Sequence, residues 1–334
     1  MVTDLLVLAL EEGLVDGVLV VRMNKDKPLE PEPFIARTKA QIISASKSKY
    51  CPVPANIALK EIMSQRGKFA VVGLPCHIHG IRKAEALDKR LREKIPFHLG
   101  LFCSHTVNFR GTEVLLHKFG IDKRVVRKLD YRGNGWPGNL SIMLSNKQTV
   151  RGRQGDFRKE WWNPLFSSFF FTPLRCMCCS DLTNELADLS FGDAWLREIL
   201  KKDKMGTSVV ISRSKIGEEI LKRAELKGKI TINKINCEKV IESQWNPLSF
   251  KKVGLSSRMS ILRSFGRAMP KYCGVKQIVN HSIYMVSLLQ LFDTIVSSRK
   301  IALFILKNTP FQVLKAWSAF LYYLELSFYR NSRV

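Results

Sequence analysis

The sequence predicts a mixed α/β (α+β) fold: two packed α/β units followed by a helical C-terminal tail. Three observations point there. Apolar runs of strand length alternate with stretches of helical periodicity along much of the chain. The 334 residues exceed one typical domain. Single cysteines stand just beyond two of the apolar runs, the place where open α/β sheets bind ligands. Hydrophobic residues at 46% and charged residues at 25% are ordinary globular values, sufficient for a large core.

Taken in chain order, Thr3 or Asp4 is placed to cap a helix whose apolar side is Leu5, Leu6, Leu8, Ala9 and Leu10, ending at Gly13. Residues 16–22 read as a buried strand, the proline-rich 28–33 as a loop, and 34–37 as a returning strand. The extended turn Cys51-Pro-Val-Pro54 opens a helix from Ala55 to about Gln65. A strand at 68–74, a basic helix from about Ile78 to Arg92, a strand at 96–102 and a short helix at 111–119 follow. Val125 to Leu129 leads into the loop Asp130-Tyr-Arg-Gly-Asn-Gly-Trp-Pro-Gly138, whose glycines and Asn suit positive-φ positions in a tight backbone. Leu140 to Leu144 alternates like a strand before a turn at Asn146-Lys147. A strand at 207–211, an amphipathic helix at 215–226 and a strand at 229–235 form a β-α-β unit. The expected domain stretches are 1–75, 76–250 and 251–334.

The residues with the most chemistry lie between Arg175 and Trp195. Cys176 and Cys179 form a C-x-x-C pair, a spacing that lets two thiolates reach one metal from a single turn. That spacing serves zinc sites, redox pairs and iron–sulfur clusters alike. Its weight comes from Cys76 and Cys103, each directly after a strand-like run, in Gly73-Leu-Pro-Cys76 and Gly100-Leu-Phe-Cys103. Taken singly, each is as readily a buried core thiol. Jointly, four thiolates are the number a cubane cluster needs. Cys178 is assigned beside the cluster rather than to it, and Cys237 and Cys273 have no partner spacing. Trp161, Trp162 and Phe169 to Phe171 bring aromatic rings up to the cysteines, suited to walling a dry metal centre.

Gly-Leu-Pro-Cys76-His-Ile-His-Gly, Gly100-Leu-Phe-Cys103, Tyr131-Arg-Gly-Asn-Gly-Trp-Pro-Gly138 and Cys176-x-x-Cys179 followed by Ala187-Asp-Leu-Ser-Phe-Gly-Asp-Ala-Trp195 resemble the coenzyme F420 hydrogenase/dehydrogenase beta-subunit family. The resemblance runs from about Met1 to Ile235. It implies an oxidoreductase subunit with FAD and a [4Fe-4S] cluster, which passes electrons to or from the 8-hydroxy-5-deazaflavin coenzyme F420. The two units would then pack around the flavin and the cluster. The ligands it implies are Cys76, Cys103, Cys176 and Cys179. It assigns Ser48, Lys49, Tyr50, Gly73 and Pro75 to the flavin-binding half. Within the glycine loop Arg132 is suited to a phosphate or carboxylate and Trp136 to stacking on an isoalloxazine, with Gly133 and Gly138 shaping the backbone and Asp193 orienting amides or flavin hydroxyls. Structural alternatives stay open: a solvated loop at 48–50, a rigid hairpin with Trp136 as a lid, and caps or turns at Asp181, Asp188 and Asp193. No catalytic proton donor is named, and His77 and His79 are given surface or core roles. The family's Gly-Gly-Thr-like turn before the helix at 5–12, and the Cys-rich segment often ahead of it, have no counterpart in this sequence. A fragment, a different start or a partner-supplied segment is expected there.

Lys and Arg number 54 against 29 Asp and Glu, a formal charge of +25, which favours anionic partners such as the phosphate- and glutamate-bearing deazaflavin. A partner oxidoreductase subunit or ferredoxin-like carrier is expected, and nucleic acid is not, since no DNA-reading motif or RNA-binding aromatic signature is present. The absence of a basic, apolar leader and the eight cysteines spread over so long a chain favour a cytoplasmic location. Residues 251–334 hold 13 Lys or Arg and only two acids, Asp293 and Glu325. Their apolar stretches are interrupted too often to span a bilayer, leaving a packed helical cap or peripheral membrane contact. The same cofactors acting on a lipid or pigment acceptor, and a non-catalytic zinc-binding scaffold, are the alternative functions.

Overall fold

Six strands form the main sheet, in the order β2-β1-β3-β4-β8-β9. They are β1 (Gly17–Met23), β2 (Pro31–Ala36), β3 (Phe69–Gly73), β4 (His98–Leu101), β8 (Leu189–Asp193) and β9 (Ser208–Ser212). The computed structural model describes residues 1–152, 163–203, 205–272 and 281–329, so Trp161, Trp162 and Cys273 lie outside the described residues. The four central strands run parallel and the two edges antiparallel. Their near-continuous apolar sequences follow from helices on both faces. On one face Val18, Val20, Ala70 and Leu99 pack under α1 (Val2–Glu11) and α10 (Lys215–Leu226). On the other, Leu19, Phe69 and Val71 meet Ile62 of α3 (Leu59–Ser64) and Ile78 and Ile81 of α4 (Pro75–Leu87). The alternation of Val18 and Val20 with Leu19 is the period of two that a strand imposes.

This sheet and its helices make one compact unit, Met1–Lys49, Val53–Cys103 and Asp181–Gln244. It also contains α2 (Lys39–Ser44), α5 (Lys89–Lys94), α9 (Arg197–Lys202) and α11 (Cys237–Ser243). The second unit is Tyr50–Pro52, Ser104–Ser180 and Trp245–Val334. Its described elements are α6 (Phe109–Lys118), the three-stranded sheet β5 (Val126–Gly133), β6 (Asn139–Leu144) and β7 (Thr149–Arg151), α7 (Asn163–Ser167), α8 (Leu174–Met177), and the helices α12 (Trp245–Lys252), α13 (Leu255–Ser264), α14 (His281–Ser297), α15 (Lys300–Asn308) and α16 (Phe311–Tyr329). Each unit is assembled from separated segments, whereas the stretches expected from sequence were consecutive.

Several boundaries differ from expectation for identifiable reasons. Pro31 and Pro33, assigned to a loop, lie in β2, an edge strand where a missing N–H is tolerated. The helix expected from Ile78 begins at Pro75, because proline is suited to a first turn, and it breaks at Asp88, which caps α5. The helix at the start of the chain begins at Val2, so Thr3 and Asp4 sit inside its first turn rather than capping it. No strand forms at 229–235, where the chain is irregular and mostly exposed; β9 closes the sheet antiparallel to β8 instead. An unexpected helix, α2, is started by a Thr38–Gln41 capping box.

Candidate functional site

The first unit presents its chemistry at the carboxyl edge of the parallel strands. Gly73 of β3 pairs with Gly100 of β4, and Cys76 and Cys103 each lie three residues beyond that pair. The register therefore sets two thiol-bearing segments at neighbouring strand ends. Cys76, in the first turn of α4, is exposed; Cys103 is half-buried. Both strand ends are held by the 181–187 segment. Asn184, fully buried at a φ of 60°, donates from Nδ2 to the Gly73 carbonyl at 2.8 Å, and Leu182 accepts from the Cys103 N–H at 2.9 Å.

Asp181 organises that segment, accepting from the Asn184 and Glu185 amides at 2.8 and 3.0 Å and facing His79 Nε2 at 2.9 Å. Burial raises its carboxyl, but His79 and the two amides outweigh it and leave the pKa below the ordinary value. His77 accepts from the Leu74 N–H and bonds the Val53 carbonyl, and burial lowers its pKa. The histidines beside Cys76 thus have holding roles. A Cβ on Gly73 would lie 3.0 Å from both His77 and Ile78, and Pro75 is buried as the first residue of α4. Close packing against α4 favours a residue without a side chain at that position. Lys49 donates to the carbonyls of Ala45, Ser46 and Lys47 just beyond α2, beside exposed Ser48. Asp193 closes β8, its carbonyl accepting from Gln244 Nε2 at 2.7 Å.

In the second unit Cys176 and Cys179 bracket one turn at the end of α8, with the Cys179 N–H donating to the Cys176 carbonyl at 3.3 Å. Burial pushes the Cys176 thiol up, while the Lys251 ammonium and a Thr106 backbone hydrogen bond act in the opposite direction. Lys251 is 1% exposed, with Nζ 5.6 Å from the Phe250 ring centre. Arg258, also fully buried, sets its guanidinium carbon 3.8 Å from the centre of the same ring and donates to the Met177 carbonyl at 2.9 Å. Phe169 stacks on Phe250 at 4.9 Å and on His105 at 4.8 Å, and burial lowers His105 to about 3, a neutral ring. Cys178 points to Met269, 3.8 Å away, and Tyr272 donates to its carbonyl. Lys251, Arg258 and His105 were not singled out from sequence; only their fold brings them to the cysteine turn.

The glycine loop joins β5 to β6. Asn134, Gly135 and Gly138 have positive φ, and Trp136–Pro137 is cis. Arg132 Nε donates to the Pro137 carbonyl at 2.7 Å, bracing the loop from within, and Gly133 closes β5. A Cβ on Gly138 would lie 3.0 Å from two carbonyl oxygens, so only glycine fits. Trp136 is half-buried in this turn. Tyr50 meets Tyr131 and Phe166 edge-on and helps line a mostly apolar cavity with Val107, Thr112, Leu115 and Leu165.

The register thus places Cys76 and Cys103 three residues beyond paired positions of neighbouring strands in one unit, and Cys176 and Cys179 stand on one turn in the other. Among the described residues no three His, Cys, Asp or Glu side chains are gathered as a metal-binding group. None of the seven described cysteines is in a disulfide. The thiols in each unit are donors of the soft type that iron–sulfur and zinc centres use, and in the second unit a buried cation and a backbone amide favour the Cys176 thiolate.

Comparison with known proteins covers most of the chain. Residues 1–60 match the profile of the coenzyme F420 hydrogenase/dehydrogenase beta subunit N-terminus, and residues 66–238 that of its C terminus. An uncharacterised protein of Methanocaldococcus jannaschii is 32% identical over 69% of this chain, which spans 59% of that protein's length. The coenzyme F420 hydrogenase subunit beta of Methanothermobacter thermautotrophicus is 28% identical over 76% of this chain and 89% of its own. A chain of the F420-reducing [NiFe] hydrogenase complex from Methanosarcina barkeri shares the fold, with a TM-score of 0.59 and 22% identity over 81% of this chain and 88% of that one. The chain belongs to the coenzyme F420 hydrogenase/dehydrogenase beta-subunit family.

Proposed function

We propose that this chain is the electron-transferring subunit of an oxidoreductase that exchanges a hydride with coenzyme F420. Bound here, FAD and a [4Fe-4S] cluster would convert that two-electron traffic into single-electron steps. The observation that carries the reading is the Gly73–Gly100 register, which sets two thiols at adjacent strand ends in the first unit. Cys76, Cys103, Cys176 and Cys179 would hold the cluster. Lys251 offsets thiolate charge there, and the Phe169, Phe250 and His105 rings keep water from the turn. Ser48, Lys49, Tyr50, Gly73, Pro75, Arg132, Gly133, Trp136, Gly138 and Asp193 are assigned to the flavin. A partner subunit or ferredoxin-like carrier takes or gives the single electrons.

Anaerobic reconstitution with iron, sulfide and FAD tests the reading. A brown-yellow protein that oxidises reduced F420 is expected, and Cys103→Ala or Cys176→Ala should lose most of the bound iron. A colourless protein that retains zinc, or full iron in either variant, would overturn it. Reduction by nicotinamide alone would overturn the coenzyme while leaving the cluster.

A further inference from the structure

Helix α14 buries more polar than apolar positions. Its buried face carries Ser287, Gln290, Asp293, Thr294 and Ser297, with Ile283, Val286 and Leu291 beside them, each at most 3% exposed. Its outward face carries Tyr284, Met285, Leu288, Phe292, Ile295 and Val296, each at least 37% exposed. The outward positions recur every three or four residues and so form one stripe along the helix. A helix packed on a water-soluble core normally keeps its polar side chains outside and its apolar stripe inside.

The inward polar groups are all engaged within the second unit. Trp317 of α16 donates to Asp293 at 2.6 Å, Gln290 donates to Glu325 of α16, and Arg258 donates to Gln290 at 3.5 Å. The Ser297 hydroxyl accepts from the Phe171 amide at 2.7 Å, and Thr294 donates to the Phe169 carbonyl at 3.3 Å. Hydrogen bonds between helices with apolar side chains outside are the arrangement of helices that face lipid. The neighbours continue it: Ile301 and Phe304 of α15 are each 70% exposed, and Tyr323 of α16 is 67% exposed.

Charge selects the occupant. Arg299 and Lys300 at the α14–α15 corner and Lys315 on α16 are exposed. The two acids of these helices, Asp293 and Glu325, are both tied into the inward network. The outward face is therefore apolar with a purely basic set of exposed charges. Among the described residues no helix is long and apolar enough to cross a membrane. We propose that α14, α15 and α16 lie in the headgroup region of an anionic phospholipid surface, with the Leu288–Phe292 stripe in the acyl boundary and Arg299, Lys300 and Lys315 against lipid phosphates. This goes beyond the redox reading and depends on neither cofactor.

The test is sedimentation of the full chain with vesicles of phosphatidylglycerol and phosphatidylcholine, and with phosphatidylcholine alone. Binding to the anionic vesicles, weakened by salt and by omission of the anionic lipid, is expected. A Leu288→Glu/Phe292→Glu double variant should lose affinity at least about tenfold, having exchanged two buried apolar side chains for charges. Leu87→Glu, at a position 90% exposed in the first unit, should bind as the parent chain does. Thermal melts establish that each variant is folded. Absence of anionic-vesicle binding, or binding untouched by the double variant, overturns the proposal. So does a lipid-independent oligomer that the double variant dissociates without affecting vesicle binding, which would make the stripe an interface between copies.

Discussion

At the scale of single residues, burial sets the charge states that govern stability. Asp293 is 2% exposed, and desolvation raises its carboxyl to about 7 despite the Trp317 hydrogen bond. An unfolded aspartate ionises near 4, so between about pH 4 and pH 7 the folded chain binds the extra proton. Stability from this group therefore falls as pH rises through that window and levels off above it. Asp293→Asn keeps an acceptor for Trp317 and removes the titration. Its melting temperature should exceed the parent's at pH 8 and approach it near pH 4. The swing is on the order of 4 kcal/mol, at about 1.4 kcal/mol per pH unit. A parallel pH profile for the two proteins would refute this. Nothing local in the sequence marked Asp293 as buried, because its helix shows an apolar stripe and sequence pattern alone places such a stripe inward.

At the scale of elements, the strands and helices with strong periodicity were legible: β3, β4, β6, β9 and α10 stand close to where apolar alternation or a helical face put them. The glycine followed three residues later by a cysteine, repeated at the ends of β3 and β4, was legible as well. What locks those ends was not. Asn184 binds Gly73 from 111 residues away, a pairing that no local signal encodes. A Cβ on Gly100 would come within 2.5 Å of the Asn184 side chain, which has no room to retreat. Gly100→Ala should cost about 1–3 kcal/mol by overpacking, seen as a lower urea midpoint at unchanged slope. If its midpoint matches the parent's, the clamp does not hold these strands. The strand expected at 229–235 failed for a related reason: its alternation is weak, and β9 already supplies the edge.

At the scale of the whole molecule, the family motifs made the α/β class readable, while the division into units depends on the chain leaving the first unit at Cys103 and returning at Asp181. A chain ended at Ser180 should keep β1 to β4 yet lack β8, and should aggregate where a chain ended after Gln244 gains the complete sheet; equal solubility of the two would contradict this. On the ribosome the same detour becomes a waiting time. Leu99 has to stay unmatched on that side until Leu189 is made, an interval of about 5–20 s at ordinary translation speeds. During it the nascent sheet presents an open parallel flank. A holdase arriving within those seconds would shield that flank until its partner strand is made.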